Sequence, residues 1–498
     1  MRVLCATLLL FLTLIAGTSG EEPTKQDLLQ AIEKQLKSAN ETAGPCVVCI
    51  VVSRSDRYPK LVSASDVPGK LGSFDLSEFI KTNPKEIRLG RTLDLSDAAN
   101  IADNGYACGV VIDPSGLILT PYHVIEGATK VYVHLPNGGG SYADIHAADG
   151  RYDLAVLKLI TPPAKLATIK FGDVHLRSQD GKKATIYHGK LAILMANSYV
   201  TGYRIDKPSA SLGSVTNVRI PQRDEMKRDT PANYYGYGPL IEHDAKLNAG
   251  IDGAALLNLD GELIGLTTAS ALVSDGDGGR YAFPADENFR RVVDVLRRGE
   301  EVEYGFLGVH IDNLQISGVT ARNPAALAGL RAGDTITAVN DVSIRTYPEL
   351  LLQVGHALAG NRVKITVLRE GRARHFWVTL GKFKHSQFTL ASVRPEPVMG
   401  LSVDYGSLLS QQVVDNGRVG LGVPAGVCVR ELVANSPAAA AFKKLGDRPE
   451  RWLITHVNGN GVNTPAEFYK ETKGQKTIKL TVLDPGELNP REREVTLP

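Results

Sequence analysis

Short apolar and β-branched runs fill the stretch from about Val47 to Ala269. Glycine, proline, asparagine and aspartate separate these runs, and this alternation is typical of an all-β sandwich or barrel. The stretch is long enough for two closed barrels. A chain of 498 residues is too long for one hydrophobic core, so about three to four domains are expected.

The charge of the chain names no partner. The formal net charge is +2 at pH 7, and 22% of the residues are charged. A balance this close to neutral gives no strong attraction to nucleic acid or to a membrane surface. We therefore expect no nucleic-acid partner.

The first twenty residues have the three parts of a secretory signal. Arg2 is a short basic start, Val3 to Ala16 is apolar, and small Thr18 and Gly20 precede an acidic residue. This pattern predicts cleavage after Gly20 and export to a periplasm or to the exterior. The alternative is an uncleaved anchor, but the apolar stretch is shorter than the ~20 residues of a spanning helix. No later segment qualifies, so no membrane span is expected after cleavage.

Four cysteines follow the leader: Cys46, Cys49, Cys108 and Cys428. The first two have the spacing of a redox pair but lie in a β-rich run rather than at a helix start. Residues three apart in a strand are separated by roughly 10 Å and face opposite sides, which rules out a mutual disulfide. Buried core cysteines are the expectation. A disulfide between one of the two and Cys108, in an oxidising compartment, is left open.

Helical periodicity appears at two places outside the β-rich stretch. Lys25 to Lys37 and Glu287 to Arg298 both carry apolar residues at helical spacing. The second ends in a charged run, which predicts a domain boundary near residue 300. Ser53 to Asn104 carries little strand pattern and is interpreted as a surface loop insertion.

A diverged internal repeat follows residue 300. Ile336 to Asn340 recurs as Ile454 to Asn458, and an Asn-Pro-Ala-Ala segment at Asn323 recurs as Ser-Pro-Ala-Ala at Ser436. Each copy is about a hundred residues long, which is enough for a small domain. The repeat predicts two tandem domains joined near residues 385–399.

One histidine and one aspartate stand at the ends of predicted strands. Gly109 to Thr120 reads as two strands around a turn, and His123 follows the second. Asp153 stands at the entrance to an apolar strand, where a charge is costly unless it is paired. The pattern indicates an imidazole oriented by a carboxylate.

These segments resemble the surroundings of the catalytic His and Asp in the HtrA (Deg) family. Lys170–Asp173, Gly261–Leu266 and Tyr281–Pro284 stand in the family's order as well. The resemblance implies a mainly β protein, with a two-barrel trypsin-like (chymotrypsin-fold) domain followed by two α+β PDZ domains. The implied boundaries are a signal peptide at 1–20, a protease domain at 21–299, a first PDZ domain at 302–384 and a diverged second PDZ domain at 398–498.

The family's nucleophile motif departs from its pattern here. Where the family has Asn-Pro-Gly-Asn-Ser-Gly-Gly-Pro-Leu, this chain reads Asn-Ala-Gly-Ile-Asp-Gly-Ala-Ala-Leu from Asn248. Asp252 therefore occupies the serine position, and the backbone amides of Gly250 and Asp252 would form the oxyanion hole. Lys246 also replaces a small residue near the implied substrate pocket. A carboxylate cannot replace the serine hydroxyl as nucleophile, so the resemblance implies an inactive protease site.

If the fold matches, His123 lies between Asp153 and Asp252. Two carboxylates raise the pKa of a histidine, so we expect an ion-paired imidazolium. A histidine with two aspartates could also hold a divalent metal, but the spacing comes from triad geometry rather than from a ligand shell. No metal and no cofactor are expected.

A glycine-flanked loop opens the first repeat. It resembles the loop of PDZ domains that holds a peptide C-terminus while the peptide adds a strand to the sheet. The implied peptide-binding residues are Tyr304, Gly305, Phe306, Leu307, Gly308 and Val309. In the second repeat Met399–Leu401 is the equivalent, while 411–422 and 444–451 look inserted.

The expected function is a non-catalytic binder of unfolded or C-terminal peptide segments, in a chaperone or scaffold role. The alternative is an active endopeptidase that uses another serine. Ser214 and Ser270 are the nearest in sequence, but neither has a glycine-rich context. A structural subunit that pairs with an active homologue is a third possibility. The resemblance also implies a homo-oligomer, commonly a trimer.

Overall fold

The computed structural model describes residues 24–54, 105–136, 138–177, 183–197, 208–219, 238–247, 251–268, 281–385, 388–415, 423–446, 448–487 and 490–498. The predicted leader, most of the predicted 53–104 insertion, and Gly250 and Ser270 lie outside the described residues. Across the described parts of the chain, no helix is both long and apolar enough to cross a membrane.

Six strands close the first barrel. They are β1 (Val47–Ser53), β2 (Tyr106–Asp113), β3 (Leu117–Pro121), β4 (Lys130–His134), β5 (Gly140–Asp149) and β6 (Leu154–Leu159). Their order is β5-β4-β1-β2-β3-β6, and β6 pairs back onto β5. The predicted strand pair around the Asp-Pro-Ser-Gly turn is β2 and β3, and Gly116 takes a φ of +95° there.

A second closed barrel follows. Its strands are β7 (Leu191–Ala196), β8 (Ser209–Arg219), β9 (Leu240–His243), β10 (Ala255–Leu257), β11 (Leu263–Thr268) and β12 (Tyr281–Pro284). Buried side chains of both barrels pack into one hydrophobic core, in which Val110 and Leu154 of the first join Leu256 of the second. The predicted two-barrel, mainly β architecture is confirmed.

Helices flank the barrels. They are α1 (Lys25–Ala43), α2 (Tyr122–Ile125) and α3 (Glu287–Arg297). Thr24 caps α1, since its hydroxyl accepts from the amide of Asp27 and the Asp27 carboxylate accepts from the amide of Thr24. This helix reaches Ala43, beyond the predicted end at Lys37.

The first repeat forms a six-stranded antiparallel sheet with two helices. Its elements are β13 (Gly305–Phe306), β14 (Val309–Asp312), β15 (Gln315–Val319), α4 (Pro324–Leu327), β16 (Thr335–Val339), β17 (Val342–Ser343), α5 (Tyr347–His356), β18 (Arg362–Arg369), β19 (Arg372–Thr379) and β20 (Gly381–Lys382). The strand order is β14-β15-β16-β18-β19, β17 pairs with β16, and β13 pairs with β20. In this order β14 is an outer strand.

The segment between the two repeats joins the first barrel. Strand β21 (Thr389–Ala391) pairs antiparallel with β5, and Thr389 lies opposite Asp149. The sequence predicted only a linker here, because three residues of ordinary polarity carry no strand periodicity. The pairing fixes the start of the second repeat to the protease-like domain.

The second repeat has the same strand order as the first. Its elements are β22 (Leu401–Tyr405), α6 (Ser407–Asp415), β23 (Val427–Leu432), α7 (Pro437–Lys443), β24 (Leu453–Val457), β25 (Asn460–Gly461), α8 (Pro465–Thr472), β26 (Ile478–Leu483) and β27 (Arg493–Leu497). The order β22-β23-β24-β26-β27 repeats that of the first sheet. The predicted internal repeat is confirmed.

The four described cysteines are buried, as the sequence predicted. The placement of Cys46 in a strand was wrong, because it ends a short 3₁₀ turn, Gly44–Cys46, and β1 begins at Val47. Pro45 lies in the first turn of that segment and supplies the backbone φ that it requires.

Candidate functional site

The histidine and the first aspartate of the site come from neighbouring strand ends. Strands β3 and β6 pair antiparallel, with Pro121 opposite Leu154. His123 lies just beyond the end of β3, in α2, and Asp153 lies just before the start of β6. The pairing therefore brings the two side chains together although thirty positions separate them in sequence.

The Asp153 carboxylate holds both the backbone and the ring of His123. One oxygen accepts from the His123 amide at 2.8 Å, and the other lies 2.7 Å from Nδ1. The Asp153 backbone takes a positive φ of 55° and its carbonyl accepts from the Tyr122 amide at 3.0 Å. The side chain is fully buried. A buried carboxylate with these partners fixes the orientation and tautomer of the imidazole.

The second aspartate comes from the other barrel, in the turn before β10. The Asp252 carbonyl accepts from the Cys108 amide at 2.6 Å, and the Gly253 amide donates to the Thr267 carbonyl at 2.9 Å. Gly253 has a φ of +71°, and a Cβ there would stand 2.1 Å from the Cys108 carbonyl oxygen. Only glycine fits this seam between the barrels.

The two barrels meet at His123. Its Nε2 lies 3.4 Å from the Asp252 carboxylate, an ion-pair distance rather than a well-aligned hydrogen bond. Burial opposes protonation of the ring, but Asp153 and Asp252 outweigh it and raise the pKa of His123 to about 10. The imidazole is therefore protonated at neutral pH.

This arrangement differs from a serine triad in two respects. A triad histidine must be neutral to take the proton of the nucleophile, and here the ring is already an imidazolium. Asp252 has no hydroxyl to deprotonate, and its attack on an amide would have to give a reactive anhydride. Within the described residues, no group of three or more His, Cys, Asp or Glu side chains is arranged to hold a metal.

Two family profiles match the chain in the order of these domains. One described as "Trypsin-like peptidase domain" matches residues 107–266, which span both barrels. One described as "PDZ domain" matches residues 293–380, which span the first repeat. The chain therefore has a trypsin-like peptidase domain followed by a PDZ domain.

The chain is similar in sequence to curated proteins over most of its length. A protein of Halomonas elongata named "Probable periplasmic serine endoprotease DegP-like" is 28% identical, over 94% of this chain and 92% of its own length. The "Periplasmic pH-dependent serine endoprotease DegQ" of Escherichia coli is 28% identical, over 79% of this chain and 81% of its own. Among solved structures, "HtrA-type protease AlgW with decapeptide" has 21% identity and a TM-score of 0.45, over 70% of this chain and 99% of that chain.

The other residues that the sequence analysis placed near the candidate site lie as follows. Asp252, one of the two implied oxyanion-hole residues, lies in the turn before β10, whereas Gly250 lies outside the described residues. Lys246 is exposed on the loop after β9. Ser214, a candidate alternative nucleophile, lies on β8 and donates its hydroxyl to Asp244 at 3.2 Å. That hydroxyl is therefore hydrogen-bonded to a carboxylate.

The residues of the predicted peptide-binding loop in the first PDZ repeat lie in different surroundings. The side chain of Tyr304 is 1% exposed and its hydroxyl donates to Asp149 of the first barrel. The tyrosine side chain is therefore buried against the barrel, and the assignment of this loop to peptide binding stays a prediction. Gly305 and Phe306 form β13, and Val309 begins β14.

The remaining loop residues keep amides available. The carbonyls of Leu307 and Gly308 accept from Ala325 and Thr320, at 2.9 and 3.1 Å. No acceptor for the amides of Leu307 and Gly308 is recorded within the described part of the chain. Gly308 has a φ of +80°, and a Cβ there would stand 2.6 Å from Asn323. The left-handed backbone at Gly308 and the nearby Asn323 side chain therefore both favour glycine at this position.

Sequence reasoning missed a contact between the first PDZ repeat and the turn that ends at Asp153. Arg151 lies over the ring of Tyr304 at 4.3 Å and over that of Phe383 at 4.7 Å. Burial raises the pKa of Asp149 to about 6, although hydrogen bonds from Tyr304 and the Tyr152 amide oppose the rise. Asp149 and Arg151 lie in an ordinary turn sequence, so no local pattern predicts contacts with residues more than 150 positions away.

The linker touches the residue next to His123 as well. Phe388 stacks on Tyr122 with ring centroids 5.4 Å apart, and its carbonyl accepts from the Gly150 amide at 2.8 Å. Phe388, which lies between the two repeats, therefore packs against the segments that carry both His123 and Asp153.

Proposed function

We propose that this chain is an exported HtrA-type protein that does not cleave polypeptides and instead binds unfolded or C-terminal peptide segments, in a chaperone or scaffold role. The observation that carries this proposal is the Asp252 carboxylate, which lies 3.4 Å from Nε2 of His123. A serine hydroxyl would have to occupy that place for the histidine to act as a general base.

The charge at this position disables the site in two ways. It removes the nucleophile, and the loss of a triad nucleophile costs about 10⁶ in turnover in a comparable enzyme. It also stabilises the protonated form of His123, whose pKa is raised to about 10. Asp252 would additionally repel a developing oxyanion, if its amide and that of Gly250 formed the hole.

Peptide binding is assigned to the first PDZ repeat. Strand β14 lies at the end of its sheet, so an extended peptide can add a strand along its outer edge. The amides of Leu307 and Gly308 then meet the terminal carboxylate. The contact of Tyr304 with Asp149 anchors the loop from behind without occupying this edge.

Cleavage of reduced casein by the purified mature chain tests the absence of catalysis. We expect no cleavage by the wild type, measurable cleavage by Asp252→Ser, and none by Asp252→Ser combined with His123→Ala. Asp252→Asn is the matched control, because it removes the charge without adding a nucleophile, and it should stay inert. Wild-type cleavage that His123→Ala abolishes would overturn the proposal in favour of an active endopeptidase.

Binding needs a separate measurement. Fluorescence anisotropy with a labelled peptide ending in an apolar residue should show saturable binding to the wild type, and C-terminal amidation of the same peptide should weaken it about tenfold or more. Suppression of aggregation of a chemically denatured protein tests the chaperone role. Equal affinity for the free and amidated peptides would contradict carboxylate recognition by this loop.

We further propose cleavage of the leader after Gly20, domains at 21–299, 302–384 and 398–498, and assembly into a homotrimer. The relatives named as periplasmic proteins support export. N-terminal sequencing of the exported protein should begin at Glu21. Sedimentation should give three times the chain mass, and a monomeric mass at micromolar concentration would contradict the trimer.

A further inference from the structure

Two cysteines lie on the neighbouring strands β1 and β2. In the antiparallel register of these strands Cys49 is directly opposite Cys108. Both side chains are fully buried. Residues that are directly opposite point to the same face of a sheet, so the two sulfur atoms share one side of the ladder.

The hydrogen-bond pattern shows which kind of pair they form. The Val52 amide donates to the Gly105 carbonyl at 2.6 Å, so this pair belongs to the hydrogen-bonded class. Pairs alternate between the two classes along an antiparallel ladder, and the register from Val47 to Val51 runs without a bulge. Three positions on, Cys49 and Cys108 form a non-hydrogen-bonded pair.

A second observation agrees with this assignment. The Cys108 amide donates to the Asp252 carbonyl at 2.6 Å, across the barrel seam, and therefore not to Cys49. In a non-hydrogen-bonded pair the Cα atoms are about 4.5 Å apart. Disulfides span Cα separations of about 4.4 to 6.8 Å, so a bond can form with little movement of the backbone.

The Cys108 thiol also contacts the backbone of Asn197, whose carbonyl lies 3.8 Å from it. The other two described cysteines differ from Cys49 and Cys108 in having no cysteine opposite them. Cys46 lies in the turn before β1, where its thiol points to the Thr42 carbonyl at 3.8 Å. Cys428 lies in the second PDZ repeat, and its thiol points to the Tyr405 carbonyl at 3.3 Å. Neither is opposite a cysteine in any strand pairing of the described residues.

We propose that the exported protein carries a disulfide bond between Cys49 and Cys108. The bond forms by exchange with a disulfide oxidant, such as oxidised glutathione or the disulfide of an exported oxidoreductase. One cysteine thiolate attacks a sulfur of the oxidant and releases one thiol. The second thiolate then attacks the mixed disulfide, closes the S–S bond and releases the other thiol, so two electrons and two protons leave the protein.

The bond must close before the barrels finish packing. Neither thiol is exposed in the folded chain, and burial raises the pKa of Cys108 to about 12, which leaves almost no thiolate to react. The cross-link is consequently a structural element added during folding rather than a switch in the finished protein.

The cross-link bears on the candidate site through strand β2. Cys108 holds the Asp252 carbonyl with its amide, and its own carbonyl accepts from the Thr120 hydroxyl at 2.9 Å. A bond to Cys49 ties this point to the next strand of the first barrel. The seam that positions Asp252 is thereby fixed covalently on one side.

A non-reduced peptide map tests the proposal on the wild-type chain. The protein is produced with its leader in an exporting host, unfolded in guanidinium with N-ethylmaleimide and no reductant, and digested with trypsin. We expect peptide 38–54 joined to peptide 92–130, with the maleimide on Cys46 located by fragmentation. Four maleimide-labelled cysteines, or a link through Cys46, would overturn it.

Variants and stability give an independent readout. Cys46→Ala should keep the cross-linked peptide, whereas Cys49→Ala and Cys108→Ala should each lose it. Reduction of the unfolded wild type, followed by refolding with reductant, should lower the Tm by roughly 5 to 15 °C. The same treatment should leave the Tm of Cys49→Ala unchanged, and an equal drop in that variant would contradict the bond. The casein assay is independent of this result.

Discussion

The first barrel supplies His123 with a carboxylate that bonds both its backbone and its ring, whereas the second barrel supplies a carboxylate where a nucleophile is required. The segments that carry Asp153 and Asp252 both contain a residue with a positive φ. Asp153 has one beside a strand end, and Gly253 has one in the turn before β10. At the candidate site the two segments differ from a serine triad in the side chain at position 252.

This difference separates what the fold demands from what the chemistry demands. Gly253 is required by sterics, because the Cys108 carbonyl leaves no room for a Cβ. The side chain at position 252 is 25% exposed in the cleft and carries no packing role of that kind. The glycine is therefore under a structural constraint that the side chain at position 252 does not share.

The largest expected effect concerns the first barrel in an Asp252→Ser background. If His123 and Asp153 are arranged for catalysis, adding Asp153→Asn should lower the kcat of the restored casein cleavage by about 10⁴-fold. The reason is that the carboxylate no longer fixes the tautomer of the imidazole or balances its charge. Initial rates over a range of enzyme concentrations measure it. Adding Asp173→Asn, which pairs with His175 elsewhere, is the control and should change the rate less than twofold. An unchanged rate with Asp153→Asn would mean that Asp153 contacts His123 without contributing to catalysis.

The next effect concerns the seam between the barrels. Gly253→Ala places a Cβ 2.1 Å from the Cys108 carbonyl at a φ of +71°, so we expect a loss of about 3 to 5 kcal/mol in the free energy of unfolding. Gly371→Ala is matched in φ, at +74°, with nothing within 4 Å of the added carbon. It should cost about 1 kcal/mol. Chemical denaturation of both variants separates the clash from the backbone strain, and equal losses would contradict the steric argument.

The sequence predicted the strand-rich fold, the repeat and the residues that meet at the candidate site. Local strand and turn patterns around His123, Asp153 and Asp252 indicate those features. The register between β3 and β6 then follows from pairing apolar strands. The position of Asp252 depended on the family pattern, because an Asp-Gly turn alone indicates no site.

Contacts that join distant segments could not be predicted. The linker strand β21 and the Tyr304–Asp149 bond depend on how whole domains pack, and neither segment carries a pattern that names its partner. Cys46 was misplaced because an apolar run predicts a strand but not its first residue. The pairing of Cys49 with Cys108 needs the register of two strands that a long insertion separates.

The third prediction concerns pH. The pKa of His123 is about 10 in the folded protein and near 6.5 when unfolded. Because the folded pKa is the higher one, its contribution to stability is fully present below pH 6.5 and is lost as the pH rises toward 10. The loss is at most about 1.4 kcal/mol per pH unit. Asp252→Asn should bring the pKa toward its ordinary value and flatten the decline between pH 7 and 9.

Urea denaturation at several pH values measures that decline, and the imidazole resonance of His123 reports its pKa directly. Other groups titrate in the same window, so the quantity to compare is the difference between wild type and Asp252→Asn. An identical pH slope in both would show that the second barrel does not stabilise the imidazolium. The site would then depend on Asp153 alone.

The smallest effect lies behind the first barrel, where Tyr304→Phe removes the hydroxyl that donates to buried Asp149. The pKa of Asp149 is about 6 in the folded protein and 3.8 when unfolded. Ionisation of this carboxyl therefore lowers the free energy of unfolding as the pH rises through this range. Losing a donor to the charged form should cost about 2 kcal/mol at pH 8 and about 1 kcal/mol at pH 5, where the carboxyl is protonated. Tyr142→Phe, at a more exposed position, should change stability by less than about 0.5 kcal/mol. A loss that is equal at both pH values would mean that the Tyr304 hydroxyl stabilises the protonated and the ionised carboxyl of Asp149 equally, so that its contribution does not depend on the charge.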